Sequence, residues 1–205
     1  ACLVQAALDA KRAAAFDLSA GCSGFAYGLA TGAQFIENGM YKHVLVIGAE
    51  KISKITDWSD RTTCVLFGDG AGAAVLGLVP EGYGILANSL GADGQGGRFL
   101  ELCKETNCIR MDGRDVFKFA VRVMSEVPLE LLAKAGLTQE DVDLFIPHQA
   151  NIRIIDAAAK RLSLPREKVY VNVERFGNTS AASIPIALDE VVKQGLIGDG
   201  NILLT

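Results

Sequence analysis

Apolar runs of four to seven residues alternate along this chain with longer stretches of helical periodicity. That alternation constrains the fold more than any other feature. Buried strands read as short continuous apolar runs, whereas amphipathic helices repeat every three to four residues. The pattern predicts an α/β fold. Ala14 to Leu18, His43 to Ala49, Cys64 to Phe67, Ala73 to Val79, Gly84 to Leu90, Asp143 to Pro147, Val169 to Val173 and Asn201 to Thr205 read as strands. Cys22 to Asn38, Asp115 to Ala135, Asn151 to Leu162 and Thr179 to Gln194 read as helices. Gly39 stops the first, and Pro128 is expected to kink or break the second. Thr138 to Asp141 carries a capping pattern that predicts a short helix. Gly68-Asp69-Gly70 predicts a hairpin between its flanking runs, and Gly91 to Asn107 reads as a loop.

A chain of 205 residues, half of them hydrophobic, can bury a sizeable core in one large domain or two smaller ones. Pro80-Glu81-Gly82 is the expected seam, dividing residues 1–82 from 83–205. The net charge of −4 argues against a general nucleic-acid binder, which needs a concentrated basic surface. No apolar run reaches the roughly 18–20 residues of a membrane span. Five scattered cysteines, an odd number, suggest free thiols and hence the reducing cytoplasm. The chain starts without Met and stops inside an apparent strand, so we expect a piece of a longer polypeptide.

Two segments, Phe16–Cys22 and Leu144–Asn151, share one grammar of short strand, tight small-residue turn and helix headed by a polar side chain, and a third strand-to-helix junction carries Asn178. Cys22 stands in Ser19-Ala20-Gly21-Cys22-Ser23-Gly24. A helix N-terminus there would favour thiolate and lower the thiol pKa, while small neighbours would admit a substrate carbonyl. A buried structural cysteine is the bland reading. His148 follows Phe145-Ile146-Pro147 at the carboxyl end of a strand, where ligands of open α/β sheets bind; it is otherwise a structural histidine. Asn178 in Gly177-Asn178-Thr179-Ser180 is either an N-cap or an amide donor aimed into a site. Other signals are weaker. Gly68-Asp69-Gly70-Ala71-Gly72 precedes a strand pattern, which disfavours a phosphate loop. Cys103-x4-Cys108 lacks a second ligand pair, which disfavours zinc. Arg153, Lys160 and Arg161 share one helix face, either merely solvated or able to dock an acidic partner.

Cys, His and Asn in this order also occur in papain-like thiol proteases. Those carry an aromatic residue just after the cysteine and are disulfide-bearing, whereas Ser23 and Gly24 follow here. Taken together, Asp17 to Phe25, Phe67 to Ala73, Pro147 to Arg153 and Gly177 to Ser183 resemble the β-ketoacyl-acyl-carrier-protein synthase III family. The similarity runs along nearly the whole chain, with the first quarter and a short C-terminal piece of the family pattern absent.

The resemblance implies a thiolase-like α/β fold of two similar halves, with helices layered between mixed sheets. It implies an acyltransferase that joins an acyl-CoA primer, acetyl-CoA being the expected one, to malonyl-acyl-carrier-protein by decarboxylating Claisen condensation, initiating type II fatty-acid synthesis. No cofactor or metal is implied, and the assembly is a homodimer. By this comparison Cys22 is the nucleophile, with His148 and Asn178 stabilising the enolate. The Cys22 N–H is one oxyanion donor, whose partner falls beyond Thr205. Arg61, Asn151 and Arg153 match CoA and pantetheine contacts, and Leu66 and Phe67 the acyl pocket. Lys118, Arg153, Lys160 and Arg161 match the carrier-protein docking face. Arg114 departs from an Asn that several relatives place on pantetheine. Alternatives are a sister condensing enzyme of polyketide or secondary metabolism, and an inactive scaffold fragment.

Overall fold

Gly24, Gly28 and Gly32 recur every four residues and so share one face of a helix. In the computed structural model, which describes residues 1–205, that helix is α2 (Gly24–Glu37), following a short α1 (Cys2–Ala7). Its glycine face lies on strand β1 (His43–Glu50). A Cβ at Gly28 would stand 2.6 Å from Val46 Cγ1, and one at Gly32 2.9 Å from Leu76 Cδ1. A side chain at either glycine would therefore have to push Val46 or Leu76 aside. β1 pairs antiparallel with β2 (Gly70–Gly77), in register from His43 opposite Gly77 to Glu50 opposite Gly70.

Helix α6 (Ser183–Lys193) completes the helical layer. Its Ile184 joins Phe25, Val46 and Ala181 in one core, with Leu29, Val44, Ala74, Leu76 and Leu188 around it. The opposite side of α6 covers a second sheet, in which β5 (Leu144–Phe145) runs parallel to β6 (Leu203–Leu204). There Ala187 and Val191 pack on Leu144 and Ile146. Phe145 and Leu204 point the other way, toward Leu132 of α3 (Gly113–Ala135) and Ile155 and Ala159 of α4 (Ile152–Arg161). This period-two alternation lets one short sheet serve two cores. The result is four layers: sheet, helices, sheet, helices. β3 (Leu100–Leu102) and β4 (Ile109–Met111) form a separate hairpin, and α5 (Val173–Phe176) is a single turn.

Several local expectations are corrected. Ala14 to Leu18 is not a strand, because no neighbour lies beside it to hydrogen-bond; a cleft of about 690 Å³ separates this segment from β1. Cys64 to Leu66 is a turn, and β2 finds its partner in β1 rather than in a hairpin through Gly68–Gly70. Gly84 to Leu90 and most of Val169 to Val173 likewise lack a ladder, apart from a bridge between Phe145 and Val169. The Gly91–Asn107 loop instead holds a 3-10 turn (Gly94–Phe99) and β3. At Thr138 the capping bonds form, Asp141 accepting both the backbone N–H and the hydroxyl, yet no helix follows. Helix α3 runs through Pro128 without interruption in its helical span, capped by Asp112 at its start and by left-handed Gly136 at its end. One missing backbone bond costs less there than the packing of Leu132 and its neighbours recovers. No helix is long and apolar enough to cross a membrane.

Candidate active site

Cys22 sits in a 3-10 turn (Gly21–Ser23) that leads into α2, with Gly21 in the left-handed region at φ +53°. Burial pushes the thiol above its ordinary value. The Ser180 hydroxyl pulls it down, the Glu50 carboxylate pushes it up, and the backbone N–H of Cys22 itself pulls it down. The expected lowering by the helix N-terminus is thus overturned, since loss of hydration outweighs the nearby donors.

A second 3-10 turn, Ser180–Ala182, faces the first. It follows Asn178, whose backbone is held on both sides by the Leu66–Gly68 segment. Asn178 N–H donates to the Leu66 carbonyl at 2.8 Å, and Gly68 N–H donates to the Asn178 carbonyl at 3.0 Å. The Asn178 side chain fulfils both expectations at once. Its Oδ1 accepts the Ser180 N–H at 2.9 Å, while its Nδ2 has no protein partner and is not sealed from solvent. An amide anchored through oxygen presents its N–H outward.

His148 projects from the carboxyl end of β5. Its Nδ1 lies 2.6 Å from Ser183 Oγ, the first residue of α6. The same hydroxyl oxygen accepts the Gln149 N–H at 3.3 Å. We assign the hydroxyl proton to Nδ1 from this network, which places the neutral ring's proton on Nε2. Loss of hydration lowers the His148 pKa to about 4, so the imidazole is neutral near pH 7. The single segment from Asn178 to Ser183 therefore touches all three junctions: Ser180 at Cys22, Ser180 N–H at Asn178, and Ser183 at His148.

Beneath His148 lies a polar clamp that the sequence did not single out. Gln149 is 1% exposed. Its Nε2 donates to the Pro147 and Tyr170 carbonyls at 2.8 and 3.3 Å, and its Oε1 accepts the Asn172 N–H at 2.9 Å. Asn172 Nδ2 donates to Glu190 at 2.7 Å, and Arg175 grips the same carboxylate with both terminal nitrogens. Desolvation pushes Glu190 up, but Arg175 and Asn172 outweigh it and hold the carboxyl below its ordinary value. Ser183, Ser180 and Glu50 were also missed. A hydroxyl five residues past Asn178, at a helix start, was the available signal for Ser183.

Leu66 and Phe67 are half-buried; the Leu66 carbonyl holds the Asn178 N–H, and Phe67 stands opposite Asn178 in an isolated bridge. Arg61 is exposed in the turn before them, and Asn151 caps α4 by accepting the Arg153 N–H at 2.9 Å. Arg153, Lys160 and Arg161 are exposed on α4 with no ion-pair partner, whereas Lys118 on α3 is paired with Asp115 at 2.9 Å.

Residues 16–94 match the 3-oxoacyl-[acyl-carrier-protein] synthase III family, and residues 132–205 match its C-terminal domain. The whole chain is 58% identical to a β-ketoacyl-[acyl-carrier-protein] synthase III from Caldanaerobacter subterraneus, covering 66% of that protein. It is 60% identical to the protein of that name from Bacillus pumilus, covering 65% of it. The crystal structure of 3-oxoacyl-[acyl-carrier-protein] synthase III from Aquifex aeolicus superposes over 98% of this chain and 65% of its own, with a TM-score of 0.96 at 54% identity. The chain thus spans slightly less than two thirds of the length of the relatives it matches.

Proposed function

The chain belongs to the 3-oxoacyl-[acyl-carrier-protein] synthase III family with its thiolase-like α/β fold, and from that premise we propose that it carries the reaction centre of a decarboxylating condensing enzyme. Cys22 as thiolate attacks the carbonyl of an acyl-CoA, acetyl-CoA foremost. The tetrahedral intermediate collapses with loss of CoA thiolate, leaving acyl-Cys22. Malonyl-acyl-carrier-protein then loses CO2, and the electron pair of the broken C–C bond becomes an enolate. The enolate oxygen accepts Nε2–H of His148 and Nδ2–H of Asn178. Its carbon attacks the acyl-Cys22 carbonyl, and Cys22 leaves as thiolate to give 3-oxoacyl-acyl-carrier-protein. Atoms and charge balance without a metal or redox cofactor.

The observation that supports these roles is the occupancy of the opposite atoms. Ser183 takes up Nδ1 and Ser180 N–H takes up Oδ1, so both outward donors are fixed before substrate arrives. A fixed donor in a water-poor site can contribute about 3 kcal/mol to a developing oxyanion. His148 neutral at the working pH keeps the site from protonating the enolate carbon through an acidic imidazolium.

For the substrates we assign Arg61, Asn151 and Arg153 to CoA and pantetheine, and Leu66 and Phe67 to the acyl pocket. To the surface for an acidic carrier protein we assign the cations on α4 together with Lys118 on α3; three of the four are exposed and unpaired. A homodimer is supported by the outer face of β2 and its flanking loop, where Val65, Val75 and Leu78 are exposed. Five free thiols fit a cytoplasmic protein. We retain the division at residues 82 and 83, with the nucleophile in the first part and His148 and Asn178 in the second.

The test is intact-mass spectrometry of the full-length protein after exposure to a panel of acyl-CoAs. A single acyl adduct that Cys22→Ala abolishes supports the reading. Unchanged malonyl decarboxylation in His148→Ala or Asn178→Ala would overturn the roles given to those side chains.

A further inference from the structure

Glu50, the last residue of β1, places a carboxylate against the turn that faces the nucleophile. It is half-buried, and it accepts the Ser180 hydroxyl at 3.2 Å. Ser180 is 6% exposed, and its turn packs on the turn that carries Cys22, so its hydroxyl bears on the sulfur without being bonded to it. Its backbone is left-handed, at φ +51°, although it is not glycine. An L residue stays there only where its surroundings hold it. Here they do. Its N–H is committed to Asn178 Oδ1 at 2.9 Å, and the next carbonyl, that of Ala181, presses on Gly48 of β1. A Cβ at Gly48 would lie 2.5 Å from that oxygen.

This held geometry gives one hydroxyl proton two acceptors. Against a neutral thiol, the carboxylate is the stronger acceptor and keeps the proton. Against a thiolate, the hydroxyl can turn to sulfur, and Glu50 then faces a second negative charge with its donor withdrawn. Glu50 therefore opposes the thiolate twice, by holding the donor away and by direct repulsion. His148 is neutral above about pH 4, and no other charged side chain from the packed elements bears on the sulfur. On ionisation the thiol proton passes to water, while the Ser180 proton stays on its own oxygen.

We propose that Glu50 and Ser180 are a positioning pair that sets the protonation of Cys22, with Ser180 as the shared donor and Glu50 as the restraint on the thiolate. The biological meaning rests on Cys22 being the acyl-carrying nucleophile, but the linkage can be tested without any acyl donor.

The experiment follows alkylation of Cys22 by iodoacetamide as a function of pH in the full-length protein, read by intact mass and peptide mapping. Glu50→Gln keeps an acceptor for the hydroxyl and removes the charge. It should move the midpoint to lower pH and alkylate several-fold faster at pH 7. Ser180→Ala and Ser180→Gly both remove the hydroxyl and should both move the midpoint upward. Their stabilities should diverge, because glycine accepts the left-handed backbone and alanine does not. An unmoved or raised midpoint in Glu50→Gln overturns the proposal. So does a pair of Ser180 variants whose midpoints follow their stabilities, which would mark the residue as merely structural. If the Glu50→Gln shift is seen and no acyl-CoA labels Cys22, the condensing reading fails and this linkage stands.

Discussion

Acid should destabilise this fold through one ring. The His148 imidazole has an ordinary pKa of 6.5 and falls to about 4 in the folded chain, because its surroundings withhold the water that would solvate an imidazolium. The unfolded chain, with a solvated ring, takes up a proton below about pH 6.5. The folded chain does so only near pH 4. Between those limits the unfolded state binds more protons, so stability rises with pH and is withdrawn as the solution is acidified. At 1.36 kcal/mol per pH unit, the fall from 6.5 to about 4 amounts to about 3 kcal/mol. That is a large share of the roughly 5–15 kcal/mol that keeps a protein folded. The assay is urea unfolding of the full-length protein at half-unit steps from pH 7.5 to 4.0, beside His148→Gln. The glutamine variant can still accept from Ser183 but cannot titrate. The wild type should lose about 3 kcal/mol more than the variant across this range, mostly below pH 6.5. Carboxylates held low, among them Asp60 and Asp69, titrate below the window and are common to both proteins. Parallel curves would show that the folded ring is solvated, and the neutral-donor role given to it would go with them.

Thr179 is 1% exposed and its hydroxyl has no partner; Thr179→Val keeps the shape and should raise stability by about 1 kcal/mol in denaturant unfolding. Gly48→Ala sets a Cβ against the Ala181 carbonyl, backbone against backbone. It should cost about 1–3 kcal/mol and slow acylation of Cys22, whereas Gly94→Ala, with open space around it, should do neither. Charge reversal at Arg153 or Lys160 should weaken carrier-protein binding by roughly threefold to tenfold at low salt and less at high salt, with CoA-thioester affinity reduced less. A salt-independent loss in calorimetry would remove the docking face.

Much of the site was legible because its parts are local. Cys22, His148 and Asn178 each stand at a junction that leads into a helix, and such junctions are written within eight or so neighbouring residues. Helices α2, α4 and α6 were legible for the same reason, since their bonds and their apolar stripes close within four residues. Strands were not. Ala14 to Leu18, Gly84 to Leu90 and Cys64 to Leu66 carry apolar runs as convincing as His43 to Ala49, yet only the last lies beside a partner that completes its ladder.

The same division separates what the residue order determined from what only the folded chain decided. The order named the candidate reactive groups and the helices that follow them, because backbone geometry and periodicity act at short range. It could not say that burial would raise the Cys22 thiol against the pull of its helix, nor that Glu50, 130 residues before Ser180, would share a proton with it. Gln149, Asn172, Arg175 and Glu190 look like ordinary solvated side chains until α6 crosses the second sheet and closes them beneath His148. Hydration and charge depend on what lies nearby in space, and only the packed layers fix that.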